Sequence, residues 1–262
     1  MTTAIRAAAR PNPIPVLEHG LMMYRRTWRG SLLSTFLLPL LFLFGMGVSV
    51  GSYVDLGGRL GVPYLDYIAP GLLASTALQV AIGEATWPIL GGFEWRRHFY
   101  AMQASPLRSQ DIVGGELLFI MLRVGGGAVG YMIAMAAFGT LHSWWAVTLV
   151  PICLLLGASV AAPVVAFAAS IKSDNMFALL YRFAVIPMTL FAGVFFPVDQ
   201  LPTLVRWAAY VSPLWHGVEL CRGASLGWPT VLPAIGHVLY LAVWAAVGYY
   251  LARARFHKRL ST

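Results

Sequence analysis

Residues 144–171 read WWAVTLVPICLLLGASVAAPVVAFAASI, twenty-eight positions without one charged side chain. A helix needs about 20 apolar residues to cross the hydrocarbon core of a bilayer, so this stretch reads as a membrane span. Working outward from it, five further segments have the same character, at 31–53, 67–90, 112–138, 176–197 and 229–252. The Gly and Pro inside them are compatible with spanning helices, where neighbouring groups satisfy the freed backbone. The period-two alternation of a membrane β-strand is absent. The expectation is an all-α polytopic membrane protein with six transmembrane helices.

Composition agrees. Of 262 residues 59% are apolar and only 11% charged, against about 25% charged in a soluble domain. A net charge of +8 would suggest nucleic acid in a soluble protein, but its placement argues for a membrane. Arg6, Arg10, Arg25, Arg26 and Arg29 precede the first span, and Arg96, Arg97 and Arg108 occupy the 91–111 loop. Lys172 and Arg182 lie in the 172–182 region, and Arg253, Arg255, Lys258 and Arg259 follow the last span. These fourteen fall on one side, against Arg59, Arg206 and Arg222 on the other. Cytoplasmic loops carry the excess of Lys and Arg, so both termini are expected in the cytoplasm. The chain then divides into a cytoplasmic N-terminus with an interfacial helix (1–30), one transmembrane domain (31–252) and a basic cytoplasmic tail (253–262). No cleavable signal peptide is visible. Cys153 and Cys221, 68 positions apart, offer no metal-ligand spacing and argue against a disulfide scaffold.

Three segments outside the spans carry patterns of their own. In 15–29, Leu17, Leu21, Tyr24 and Trp28 share one helical face, as in an amphipathic helix lying on the membrane. In the 91–110 loop, Gly91-Gly92 is expected to end the second span and Ser105-Pro106 to end a short helix after it. Between them Trp95, Phe99 and Met102 line one face of that helix beside Glu94, Arg96, Arg97 and His98. That combination suits docking into a groove on another protein, although a helix lying on anionic lipid carries similar residues. The external 198–228 segment is apolar for a loop. Leu204, Trp207 and Val211 form a stripe, and Pro202 and Pro213 stand where short helices begin. It reads as two re-entrant helices dipping into the outer leaflet, or as an interfacial lid.

Glu84, Glu116 and Arg123 interrupt apolar spans. A charge at a span centre costs at least about 2.5–3.5 kcal/mol, so pairing across the bundle is expected. Glu116 and Arg123 lie on one face but about 10 Å apart along it, too far for direct contact. Two enzyme-like motifs are decoys on this reading. Gly125–Gly130 satisfies G-x-G-x-x-G without a preceding strand. Gly126 and Gly130, like Gly47 and Gly51, have the spacing of close helix packing. Gly223–Gly227 satisfies G-x-S-x-G, but an intramembrane serine hydrolase would need Ser225, placed in a loop, to face His237 twelve residues on. No phosphate-cradling G-x-x-x-x-G-K-[ST] occurs, so any ATPase must be a separate chain.

Three stretches resemble the permease subunits of type-2 ATP-binding-cassette exporters, in the nodulation-factor and daunorubicin exporter branch. They are Tyr67-Ile-Ala-Pro-Gly-Leu-Leu-Ala-Ser75, then Ala101-Met-Gln-Ala-Ser-Pro-Leu107 with Asp111-Ile-Val-Gly-Gly-Glu116, and a third. That third, most specific stretch runs Gly193-Val-Phe-Phe-Pro197, Gln200-Leu-Pro202, Ser212-Pro-Leu-Trp-His216 and Arg222. Phe191-Ala192 departs from the small polar residue more usual before the Gly. The resemblance implies a bacterial cytoplasmic-membrane exporter built from two such permease subunits and two cassette ATPase subunits. The latter would carry ATP and Mg, while this chain would hold no cofactor or metal, bind no nucleic acid and catalyse nothing. It also implies a coupling helix at 94–103 using Glu94, Trp95, Arg96, Arg97, Phe99 and Met102. Re-entrant external helices at 203–222 would involve Pro202, Trp207, Pro213, His216, Glu219 and Arg222. The cargo class that fits the apolar span interiors is amphipathic: drugs, glycolipids or lipid-linked saccharides. A non-transporting membrane scaffold is the remaining alternative.

Overall fold

The computed structural model describes residues 12–45, 61–227 and 231–261, and every regular element among them is helical. In chain order these are α1 (Ile14–Gly45), α2 (Tyr64–Ala85), α3 (Trp87–Glu94), α4 (His98–Ala104) and α5 (Ser109–Ala137). A 3-10 turn (Trp144–Thr148) leads into α6 (Leu149–Ala168). Next α7 (Asn175–Leu180) passes through a π turn (Tyr181–Val185) into α8 (Ile186–Phe191). The chain closes with α9 (Thr203–Val211), α10 (Pro213–Leu226) and α11 (Val231–Leu260).

Four helical stretches are long and apolar enough to cross a bilayer: Tyr64–Glu94, Ser109–Ala137, Trp144–Ala168 and Leu232–Leu260. They match the expected second, third, fourth and sixth spans. The other two differ. The interfacial helix and first span are not separate, because α1 runs unbroken through residue 30 to Gly45. A lone glycine costs a helix only about 1 kcal/mol and, without a proline, does not end it. Residues 46–53 of that span, with Gly47 and Gly51, lie outside the described residues. The expected fifth span, 176–197, is helical only over Asn175–Phe191, about 26 Å at 1.5 Å per residue, short of the roughly 30 Å core. Pro187 removes a backbone donor, and the π turn one step earlier absorbs the misfit.

Pro88 likewise divides the second span. It stands in the first turn of α3 and would clash in a continuing helix, so the backbone breaks at Thr86. The Thr86 hydroxyl donates to the carbonyls of Ile82 (2.9 Å) and Gly83 (3.2 Å), satisfying groups the break exposes. Gly91 and Gly92 do not end the span, since α3 continues to Glu94. A Cβ on Gly92 would overlap the Phe99 ring; glycine there lets α4 fold back onto α3.

The core sits between α2, α6, α10 and α11, with α11 lying along α6. Small residues permit the close approaches: a Cβ on Gly248 would overlap Pro163, and one on Gly217 would stand 2.6 Å from Leu156. Gly126, expected to play this part, meets no other element among the described residues in the direction of its missing Cβ. Sequence-distant contacts gather at two ends of the bundle. At the arginine-rich end, Asn12 N donates to Asp111 Oδ1 (2.9 Å) and Arg259 reaches Glu94. At the opposite end, His142 meets Asp66 (2.9 Å), and the Ser225 hydroxyl donates to the Thr140 carbonyl (2.9 Å).

Candidate functional site

Two clusters, one at each end, gather most of the residues singled out by sequence. At the arginine-rich end, α3 stops at Glu94, and the chain turns through Trp95, Arg96 and Arg97 into α4. Arg97 takes a left-handed conformation (φ 51°), the one positive φ outside glycine among the described residues. The segment 94–103 is therefore not one helix, and Trp95, Phe99 and Met102 do not share an exposed face. Trp95 is 61% exposed and Tyr100 41%, whereas Phe99 is 1% exposed. Phe99 packs 4.8 Å from Phe93 and 5.3 Å from Phe256 of α11, and Phe93 lies 4.8 Å from Phe256. Met102 is half-buried against the same core. Tertiary packing of Phe99 overrides the local helix preference of residues 94–97.

Arg259 fastens this corner. Its guanidinium pairs with Glu94, and it donates to the carbonyls of Ala168 (3.2 Å), Ala169 (3.1 Å) and Ile171 (2.8 Å). These carbonyls close the C-terminal end of α6, where orphan acceptors and the helix dipole both favour a cation. The same group stands 4.2 Å over the Phe93 ring. The basic residues 253–259 belong to α11, which extends to Leu260. His98 begins α4 beside His19 of α1, ring centroids 5.3 Å apart. Burial, then the neighbouring His19 and Arg96, lower its pKa to about 4, so it is neutral near pH 7. Arg96 and Arg97 remain exposed.

Two of the charged residues within the spans, Glu84 and Arg123, pair with each other. Arg123 Nη2 lies 2.9 Å and its Nε 3.0 Å from Glu84 Oε1, and the guanidinium sits 4.3 Å over the Tyr24 ring of α1. One node therefore joins α1, α2 and α5. Glu84 is thus an ion-pair partner, as expected of a charge within a span. Glu116 does not pair with Arg123, as the spacing implied; it lies within electrostatic reach of Arg96 and Glu84.

At the opposite end, Pro202 and Ser212 cap α9 and α10. Leu204, Trp207 and Val211 form the expected exposed stripe. Arg222 donates to Glu219 Oε1 (2.7 Å) and to the Gly193 carbonyl (2.7 Å), and stands 3.9 Å over the Tyr67 ring. Tyr67 in turn donates to the same Gly193 carbonyl (3.4 Å). Gly193 holds φ +80°, with Val198 3.0 Å from where a Cβ would lie, so the position admits no side chain without strain. Two of the three family-like stretches, starting at Tyr67 and at Gly193, thus meet in space.

His216 and His237 join α10 to α11, Nδ1 to Nδ1 at 2.7 Å. His216 Nε2 faces the Tyr210 carbonyl at 3.0 Å. A carbonyl only accepts, so His216 carries its proton on Nε2, and its bare Nδ1 accepts from His237 Nδ1–H. The His216 ring stacks on Tyr240 at 3.9 Å. Ser225 lies in the last turn of α10, not in a loop, fully buried and committed to Thr140. His237 is occupied by His216. The serine–histidine contact of a hydrolase is absent among the described residues. Ser225 is thus structural, and Ser225→Ala should cost about 1 kcal/mol of stability, the worth of one buried hydrogen bond. Fluorophosphonate labelling abolished by that change would contradict this.

Phe93, Phe256, Arg259, Tyr24 and His19 were not marked by sequence as site residues. Their partners lie far along the chain, and no spacing rule reports such contacts.

Comparison with known proteins places this arrangement. The family described as ABC-2 type transporter matches residues 17–226. Nodulation protein J of Rhizobium leguminosarum bv. trifolii is 30% identical over 95% of this chain and 94% of its own length. The protein of the same name in R. leguminosarum bv. viciae is 27% identical over 99% of both. The inner membrane transport permease YadH of Escherichia coli K12 is 24% identical over 78% of each chain. With a family match across most of its length and relatives aligned nearly end to end, the chain belongs to the ABC-2 type transporter family, as a membrane permease component.

Proposed function

We propose that this chain is the membrane-spanning half of an ATP-driven exporter, powered by a separate cassette ATPase that binds ATP and Mg. The observation that carries the reading is the shape of the α3–α4 corner. Its inner face is locked into the bundle by Phe99, while Trp95, Arg96, Arg97 and Tyr100 remain outside. Exposed aromatics flanked by arginines are typical anchors of a protein–protein contact. The lysine and arginine distribution supports a cytoplasmic position for this corner, where an ATPase would sit.

The mechanism rests on how the corner is held. A push on Trp95 and Tyr100 loads Phe99, and Phe99 bears on Phe256 of α11. Helix α11 is 30 residues long, about 45 Å, and at its far end His237 holds α10. One rigid element thus connects the ATPase face to the short external helices, which would open or close the outward path. Two such permease subunits, identical or paralogous, would enclose that path. The cargo we infer is amphipathic, a drug, glycolipid or lipid-linked saccharide, supported by the apolar spans and by relatives named for nodulation.

The test is reconstitution with the cassette ATPase in nanodiscs. Changing Trp95 and Tyr100 together to Ala should weaken ATPase binding at least about tenfold, as loss of two aromatic anchors does, with the unfolding midpoint unchanged. Unaltered binding and unaltered transport-linked ATP turnover would refute the coupling role.

A further inference from the structure

We propose that a cavity between the arginine-rich ends of α5 and α11 binds the phosphate of an anionic phospholipid headgroup. The inference rests on the cytoplasmic assignment of this end. The cavity holds about 540 Å³ and is lined by Arg108 and Gln110 from the start of α5 and by Tyr250, Arg253 and His257 from α11. The three α11 residues stand at i, i+3 and i+7, which makes them one face of that helix. Two arginines and a histidine from two elements converge on it, and none of the described residues lining it is acidic. The nearest carboxylate in sequence, Asp111, is buried and already accepts from the backbone N–H groups of Arg108 (2.9 Å) and Asn12 (2.9 Å).

The position of the cavity selects the ligand. At its rim α11 changes from charged to apolar just before Arg253, and α5 becomes mostly apolar past Asp111, with Glu116 and Arg123 its two later charges. That is the depth of the headgroup layer, where Tyr250 stands 68% exposed as an interfacial aromatic. From the rim the outer faces of the same helices continue as Leu118 and Leu122 on α5 and Val243, Val247 and Leu251 on α11, all exposed. A lipid with its phosphate among the arginines would lay its acyl chains along these residues. Guanidinium groups are suited to phosphate through paired N–H donors. A soluble phosphate offers the same headgroup chemistry but gains nothing from the apolar faces below.

The test uses the purified full chain in phosphatidylcholine nanodiscs with increasing phosphatidylglycerol, reading the unfolding midpoint and the lipid retained in native mass spectrometry. The midpoint should rise and saturate at a low phosphatidylglycerol fraction. Arg253→Gln should weaken that response about fivefold, the effect of one cation near an anionic surface, and Arg253→Lys should restore part of it. Arg255→Gln removes the same charge from an exposed position outside the cavity and should leave the response intact. Equal loss in the Arg255 variant would reduce the effect to diffuse surface charge and overturn the site. An equal midpoint rise with millimolar inorganic phosphate would overturn the lipid assignment. The readout needs no ATPase, so its failure is distinct from failure of the transport proposal.

Discussion

If this chain is the permease half proposed above, Arg259→Ala should abolish its transport while leaving it in the membrane, and it should lower stability by about 3 kcal/mol. Breaking a partly buried ion pair by removing one partner costs on this scale, because the other charge is left without compensation. Here Glu94 would lose its cation, and the carbonyls of Ala168, Ala169 and Ile171 would lose their donor at once. The stability loss is read from thermal unfolding in detergent. Arg259→Lys is the informative companion: it keeps the charge but cannot serve a carboxylate and three carbonyls together. It should recover less than half of the stability. Transport preserved in Arg259→Ala would mean that α11 does not carry the stroke.

The second large effect concerns Glu84 and Arg123. Glu84→Ala leaves a guanidinium 11% exposed within a span, without its carboxylate and with the Tyr24 ring beneath it. We expect a loss of about 3–5 kcal/mol. The double change Glu84→Leu with Arg123→Met removes both charges and should recover most of it, since an apolar pair of similar volume avoids desolvation altogether. A double-mutant cycle on unfolding free energies measures the difference. Additive single effects would show that the two groups are stabilised by other partners. Exchanging the charges, Glu84→Arg with Arg123→Glu, should recover less, because the Tyr24 ring then faces a carboxylate.

Uninterrupted apolar length was the most readable feature of this sequence. The runs in 112–138 and 144–168, and the last one from Val231 on, translate directly into helices, because a spanning segment must satisfy its backbone internally and has few other choices. The prolines were harder. Pro70 and Pro163 sit inside helices that continue through them, whereas Pro88 ends α2 and Pro187 accompanies a π turn. The difference lies in what surrounds each proline, which local sequence does not report. The glycines carried the same ambiguity. Gly91-Gly92 looked like a terminator, yet its part is to let Phe99 lie against α3. Gly126, which had packing spacing, would hold a Cβ with no described residue of another element within 4 Å of it.

The sites divide along the same line. The Pro202, Pro213 and Arg222 stretch was readable because its short helices begin at prolines and its arginine closes on a nearby glutamate. The α4 face was only half readable. Helical spacing grouped Trp95 with Phe99, but spacing assumes one unbroken helix, and Arg97 breaks it. Arg259 counted in the sequence only as one charge among the fourteen that set orientation. Its role depends on the end of α6 and the end of α3 arriving at the same place, nearly ninety and more than one hundred and sixty residues away.

The most direct test of the proposed coupling is a photo-crosslink from position 95. A benzoylphenylalanine placed there, in cells that also express the cassette ATPase, should yield on illumination a covalent adduct of the two chains. That adduct should weaken when Phe99 is changed to Ala. Crosslinking to lipid alone, or labelling of position 95 by a membrane-impermeant reagent added outside intact cells, would contradict the account.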